Sequence, residues 1–467
     1  MTDAPLPPWY YQQSAPVVAD WGQVVSFSPG TYFTPKSLNE VSSILLYAST
    51  TSGRTLRIMG GLHSCSNIFK SDIVIDTSGL PLEFAPVSND PDGCNVIASG
   101  WMHVHEFGYR ASQIGLSLTA TGGTDAQTLA GLIATNTAGA TIKYSVYETV
   151  QWVELLQLAA DGKSINTVTI KRTDPAFQAV ICSLGLLGFV TRIGFTLVPE
   201  IFLTASQSLV PLDDVLGSID DYSQKHDFWR VLWLPKLKNA DGKDIGLLWT
   251  ADHSVGVGAP NGDYPPDGQE SSLMIAAKYN EKFLKSGPFL SIVLEDVYKL
   301  LVALWKNQSV SGPLRNLIPV DRMARVHCAM AEWSFNPVDI PRIKTMLTTY
   351  FEANGWPNLA IEIECTRTDT YLMSAWNWPE LPYIAKINFQ YLTEFFEDGD
   401  MARMKAHILG IWNMLDGADI PFKAHWGKLN CLDAAQVAKT YDLAAFLPYV
   451  EPLFLNGYTK RRLMVGS

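Results

Sequence analysis

The chain has 467 residues, enough for two or three domains, and its 47% hydrophobic and 17% charged composition is that of a globular protein with substantial cores. A net charge of −11 with no Lys/Arg-rich run argues against a nucleic-acid surface. Cysteines at 65, 94, 182, 328, 365 and 431, with no CxxC pair, argue against a disulfide framework or a zinc site, so no metal is expected.

Fourteen Trp, eighteen Tyr and twenty Phe suit deep pockets as well as cores, and the chain reads as an acidic protein that handles a small molecule. Its first residues, MTDAPLPPWYYQQ, lack the charged start and apolar core of a signal peptide. No uncharged apolar run approaches the ~20 residues of a membrane span. A cytoplasmic protein is expected; its oligomeric state has no sequence signature.

In chain order, Ser37 followed by Glu40 has the spacing of a capping box. Leu38, Val41, Leu45 and Ala48 continue at helical spacing until Gly53 stops the helix. Thr55–Met59 reads as a short strand, residues 60–67 as a loop begun by two glycines, and Ile73–Asp76 and Val96–Ala98 as further strands. A helix follows with Val104, Phe107, Ala111 and Ile114 on one face, closed by Gly115. His103 and His105 at its start are expected on different faces, as structural residues.

Residues 119–141 are rich in Gly, Ala and Thr, small side chains that let a backbone approach a ligand closely. Gln151–Ala159 reads as a strand entering a turn at Asp161-Gly162, and Ser183–Pro199 as a glycine-interrupted segment and a strand. Beyond Pro199 the glycine punctuation thins, apart from the Pro/Gly-rich stretch Gly256–Gly268. Glu394, Glu397, Asp398 and Asp400 read as a solvated helix end and turn. The expected domains are 1–200, 201–415 and a segment 416–467 that returns to the first. Alternating strand, glycine turn and helix make the first an α+β nucleotide-binding domain.

The leading motif is Arg57-Ile58-Met59-Gly60-Gly61-Leu62-His63-Ser64. A two-glycine loop after a strand offers backbone N–H groups to a phosphate, and a histidine at its tip is held against whatever the loop binds. There is no Walker loop and no GxSxG, so phosphotransfer and serine hydrolysis lack support.

Taken in order, RIMGGLHSCSNI, IVIDTSGL, TGGTDAQTLAGLIATNTAG and SLGLLGFVTRI resemble the FAD-binding domain of the vanillyl-alcohol-oxidase superfamily, and most nearly that of the aldonolactone and alditol oxidases. The resemblance implies an α+β fold: a PCMH-type FAD-binding domain of two subdomains, plus an α+β cap domain with a mainly antiparallel sheet. It implies FAD bonded covalently to His63, with Met59, Gly60, Gly61, Leu62 and Ser64 around the pyrophosphate. Gly122, Gly123, Thr124, Thr128, Gly131 and Thr135 fall on the second cofactor loop. Gly185, Gly188 and Val190 fall on the adenine-side segment.

Two further segments resemble the same oxidases. In LAIEIECTRTDTYLMS, Glu362 falls on the glutamate of a Glu-x-Arg pair, but Glu364 occupies the arginine position. Alternation places both on one face of a strand, lining either the pocket or solvent. PFKAHWGKL carries a His-Trp-x-Lys segment that implies His425 at the flavin edge and Lys428 beside the ring or the substrate hydroxyl. Which of Lys428, His425 and the glutamates is the base stays open.

The second loop, Thr-Gly-Thr-His-Gly in many relatives, reads Thr135-Asn136-Thr137-Ala138-Gly139. No cysteine between 95 and 181 offers a second flavin bond, and Cys65 is expected to be a buried small residue. The implied reaction moves hydride from the CH–OH carbon of a small polyol, sugar lactone or related alcohol to FAD, with O2 or another electron acceptor giving reoxidation. Same-fold alternatives are a dehydrogenase and a secondary-metabolite oxidase or cyclase; outside them stands a flavin-free binding protein.

Overall fold

Glycine-started loops in the first two hundred residues join strands of two sheets, in a computed structural model that describes residues 15–51, 53–255, 309–318, 327–393 and 396–463. The stretch Gly256–Gly268 and Glu394 lie outside the described residues.

Strands Thr31–Phe33, Ile73–Asp76 and Leu56–Met59 pair in parallel, in that order across a small sheet. Their connection is the helix Leu38–Thr50, as a parallel crossover requires. Ser37 caps it by accepting the Glu40 N–H at 3.3 Å. The Glu40 carboxylate reaches one residue past the cap, to the Lys36 N–H at 2.7 Å, so the box is displaced rather than closed. Val41, Ile44, Leu45 and Ala48 are buried, whereas the expected Leu38 is exposed at the first turn. The helix ends before Gly53, because the Thr51 N–H and hydroxyl turn back onto Ala48 and Tyr47.

A second, antiparallel sheet carries the order Ile165–Lys171, Val150–Leu158, Phe189–Phe195, Val96–Ser99, Phe84–Pro86. Helix Val104–Gln113 buries Val104, Phe107 and Ala111 against it; Ile114 falls beyond the last turn and is exposed. The expectation that His103 and His105 point apart fails. His103 sits in the extended cap position, which turns its ring onto that of His105 at 5.2 Å and 20°. Within the small-residue stretch, Leu129–Ala134 coils into a helix because the Thr128 hydroxyl accepts the Gly131 N–H at 3.1 Å.

The rest of the chain is organised by an eight-stranded sheet, antiparallel in every pairing. Its order is Ser309–Pro313, Phe202–Pro211, Asp244–His253, Phe228–Lys238, Ile361–Arg367, Tyr383–Leu392, Cys328–Phe335, Lys423–Ala424. Helices Ile340–Asn354 and Asp400–Asp416 pack on each other. The acids around Asp400 therefore begin a helix rather than end one.

The C-terminal segment touches both halves. Lys423–Ala424 extends the large sheet, while the Asn456 amide donates to the carbonyls of Asn67, Ile68 and Lys70 beside the first glycine loop. The α+β class with a mainly antiparallel second sheet is therefore the architecture of the chain. Among the described residues no helix is long and apolar enough to cross a membrane.

Candidate active site

A cleft of about 290 Å³ runs between the glycine loops and one face of the large sheet. The loops meet because Gly60 and Gly61 have no side chain. A Cβ on Gly60 would stand 2.6 Å from the Thr128 hydroxyl, and one on Gly61 only 2.5 Å from the Ala126 carbonyl oxygen. Beneath them the buried Arg57 guanidinium donates to the carbonyls of Leu184 (2.5 Å), Phe454 (3.0 Å) and Gly185 (3.4 Å). Two segments far apart in sequence are thus drawn to one strand. Leu184 and Gly185 both hold positive φ there, at 56° and 66°.

Met59, Gly60, Gly61, Leu62, His63 and Ser64 all line the cleft. Gly123, Thr124, Thr128, Gly131 and Thr135 line it from the second loop, and Gly185, Gly188 and Val190 from the third. Gly122 does not: it backs onto Thr137, where a Cβ would meet the methyl at 2.4 Å, so its role is packing.

His63 is set by strained backbone and a lid. Leu62 before it has φ 53°, and the Leu62 carbonyl accepts the Trp21 N–H at 2.8 Å. The Trp21 ring lies 5.0 Å from the imidazole. The His63 Nδ1 atom is buried with no hydrogen-bond partner. Burial, followed by the charges of Lys428 and His103, lowers this imidazole to about 3, so it is neutral at physiological pH. Cys65 is a buried thiol, pushed up to about 12 chiefly by burial.

Opposite the loops, the large sheet presents a polar face in strands that are otherwise apolar. Glu362, Asn388 and Glu332 face one another across three strands, and Glu364 faces Lys386 in the next row. Both Glu362 and Glu364 line the cleft rather than solvent. Glu362 accepts from the amides of Asn388 (3.3 Å) and Gln390 (3.4 Å) and lies 3.9 Å from the Arg230 guanidinium.

The buried Lys386 ammonium sits 2.5 Å from Glu364, 3.1 Å from the Ala138 carbonyl and 3.7 Å from Glu332. Burial and the neighbouring carboxylates Glu362 and Glu332 raise the Glu364 carboxyl to about 7, against the opposing pull of Lys386. Burial would raise Glu332 too, but Lys386, His425 and Lys428 together hold it below the usual carboxylate range.

His425 is buried beside Trp376, and burial is the first cause of its fall to about 4. Its Nδ1 accepts the Gly427 N–H at 3.1 Å, so the neutral ring carries its proton on Nε2 and acts as a donor. Lys428 lines the cleft with its ammonium 3.1 Å from the Met330 sulfur. Glu332, Lys386, Asn388 and Gln390 were not among the expected site residues. Their signal is period-two polarity inside apolar strands: Lys386, Asn388 and Gln390 in YIAKINFQYL, and Glu332 in CAMAEWSF. Among the described residues no group of His, Cys, Asp and Glu is placed to hold a metal ion.

Asn136 stands where the resembling loops carry glycine, and it keeps a left-handed φ of 54°, a conformation asparagine adopts more readily than other side chains. Its amide donates to Asp369 (2.7 Å) and Ser374 (2.5 Å), fastening the second loop to the substrate-side segment. Asn136→Ala should cost about 2–4 kcal/mol, from lost bonds to a buried carboxylate and a strained alanine. Asn136→Gly should cost less, because only the bonds go. Thermal unfolding of the two variants separates the contributions.

Two family models match the chain: an FAD binding domain over residues 29–167, and D-arabinono-1,4-lactone oxidase over residues 193–450. L-gulonolactone oxidase of Mus musculus is 27% identical over 220 residues, 47% of this chain and 49% of the relative. D-arabinono-1,4-lactone oxidase of Yarrowia lipolytica is 23% identical over 237 residues, 50% and 43% of the two chains. The chain thus matches about half the length of these curated relatives. In fold it resembles the cholesterol oxidase of B. sterolicum, with a TM-score of 0.74, 14% identity and coverage of 99% and 100%. The chain belongs to the D-arabinono-1,4-lactone oxidase family, whose segment follows an FAD binding domain in this sequence.

Proposed function

We propose that this chain is a flavin-dependent oxidase, with FAD bonded to His63, that removes hydride from a hydroxyl-bearing carbon of a small polyhydroxy compound or its lactone. The observation that carries the reading is the single cleft joining an unpartnered, neutral His63 Nδ1 at one end to the polar face of the sheet at the other. A buried, unpartnered ring nitrogen fits a carbon–nitrogen bond to the cofactor, and an imidazole at about 3 is neutral, so that one of its two nitrogens carries a lone pair. The side-chain-free loops fit a backbone-lined phosphate site.

FAD supplies the two-electron acceptor when bound; orientation and proton handling fall to the protein. The Nε2–H of His425 donates to the substrate oxygen. Lys428 sets a positive charge in the cleft where negative charge develops. The hydroxyl proton passes to a carboxylate, for which Glu332 is best placed: it stays ionised and feels both His425 and Lys428. The substrate thus loses a hydride from carbon and a proton from oxygen, leaving a carbonyl. O2 would accept the electron pair from the bound cofactor and, with two protons, give hydrogen peroxide. Domain limits at 200 and 415 place the cofactor loops in the first unit and the polar face in the second.

Stopped-flow mixing of substrate-reduced protein with air-saturated buffer tests the oxidase assignment. Reoxidation within seconds is expected; reoxidation over minutes, accelerated by a quinone or a dye, would make the chain a dehydrogenase.

A further inference from the structure

Apart from His425 and Lys428, the polar face of the cleft has oxygen acceptors to spare, and its donors are engaged with neighbouring groups. Lys386, buried at 1% exposure, directs its ammonium at Glu364, Glu332 and the Ala138 carbonyl. Arg230 lies against Glu362, the Ile318 carbonyl and the Trp249 ring. The amides of Asn388 and Gln390 both point at Glu362. By contrast Asn388 Oδ1 is buried with no partner, and Glu364 meets Lys386 through Oε1 at 2.5 Å.

We propose that Glu364, held in place by Lys386, is the specificity-determining residue of this cleft, and that with Asn388 Oδ1 it takes the hydroxyl groups of an uncharged polyhydroxy compound in preference to a carbonyl or carboxylate oxygen. An arginine at 364 would offer only N–H donors, which suit a lactone carbonyl or an acid; Glu364, ionised above about pH 7, offers only acceptors there, which suit O–H groups. The change of partner is built into the surroundings. Lys386 fills the cationic position from the neighbouring strand, directly across from Glu364. It also donates to the Ala138 carbonyl of the second loop at 3.1 Å. Lys386 acts through Glu364 and is a positioning residue. The inference rests on the proposal that the cleft oxidises an alcohol carbon.

The test uses the full chain with its bound flavin and compares D-arabinitol, xylitol, D-glucitol and myo-inositol with D-arabinono-1,4-lactone. The best polyol is expected to bind roughly tenfold more tightly than the lactone, the scale of one charge-assisted hydrogen bond over a neutral one. Binding is read as KM, or as Kd from the change in flavin absorbance if no compound reduces the flavin. That second case refutes the proposed oxidation while leaving the preference measurable.

Glu364→Gln keeps the shape and adds an N–H donor. It should weaken polyol binding about tenfold and strengthen lactone binding, narrowing the preference by more than tenfold. Adding Lys386→Met to Glu364→Gln should change the preference no further, because Lys386 acts on the preference through Glu364; its pairing with Glu332 would show in turnover instead. A wild-type preference for the lactone, no flavin response to any polyol, or an equal change for both ligands in Glu364→Gln overturns the proposal.

Discussion

His63→Ala is expected to yield a protein whose flavin leaves with the supernatant on acid precipitation, whereas the unaltered chain should keep its flavin in the pellet and fluoresce as a denatured band. The expectation follows from the state of one atom. His63 Nδ1 is buried and unpartnered, and burial with the nearby charges of Lys428 and His103 keeps the ring neutral. A neutral imidazole is a nucleophile; a protonated one is not.

Alanine removes that nitrogen and little else. The backbone at Leu62 is fixed by the Trp21 N–H, and the approach of the two loops is fixed by Gly60 and Gly61. The variant should therefore still purify yellow, with flavin held by the loops alone. Flavin retained in the acid pellet would assign the covalent bond to another residue, and colourless wild-type protein would leave a binding protein that only retains the fold.

The first domain was legible because its determinants are local. Ser37 and Glu40 announce a helix through bonds within a few residues, and Gly60 and Gly61 announce a close approach, although its partners, Thr128 and Ala126, lie far along the chain. What sequence spacing could not convey was mutual position. Arg57 looks like an ordinary strand residue in sequence, yet its guanidinium gathers Leu184, Gly185 and Phe454 from segments far along the chain. Gly122 carried the same motif signal as Gly123 but turned out to face Thr137.

The polar face of the cleft was half legible for a related reason. Glu362 and Glu364 were found through a motif, and alternation put them on one face. Whether that face met solvent or substrate depended on the neighbouring strands. The decisive residue, Lys386, lies on the next strand, where register alone places it across from Glu364. Its partners are set by pairing between strands that no local pattern encodes. Polar residues at period two in strands meant to be buried on both faces are nonetheless a usable sign. A buried Lys or Glu is expensive unless it is paired, so such a stripe marks a cavity.

Lys428→Met should leave flavin content and fold intact and reduce kcat by roughly 10²–10³, the usual cost of removing one well-placed charge from a site of charge development. The substitution suits the position. The Lys428 ammonium stands 3.1 Å from the Met330 thioether, and among the described residues no carboxylate pairs with it in an ion bridge. Methionine keeps the apolar stem and length, so packing changes little. What disappears is a cation close enough to help depress both His63 and His425.

Glu332 loses one of the charges that keep it ionised, which weakens the arrangement in which His425 donates and Glu332 accepts. The loss should appear in kcat far more than in KM, because the proposed substrate-holding contacts are those of Glu364 and Asn388. Anaerobic single-turnover bleaching of the flavin isolates this step from reoxidation. Bleaching within threefold of the unaltered rate would remove Lys428 from the chemistry and leave charge stabilisation to Lys386, the other lysine of the cleft lining.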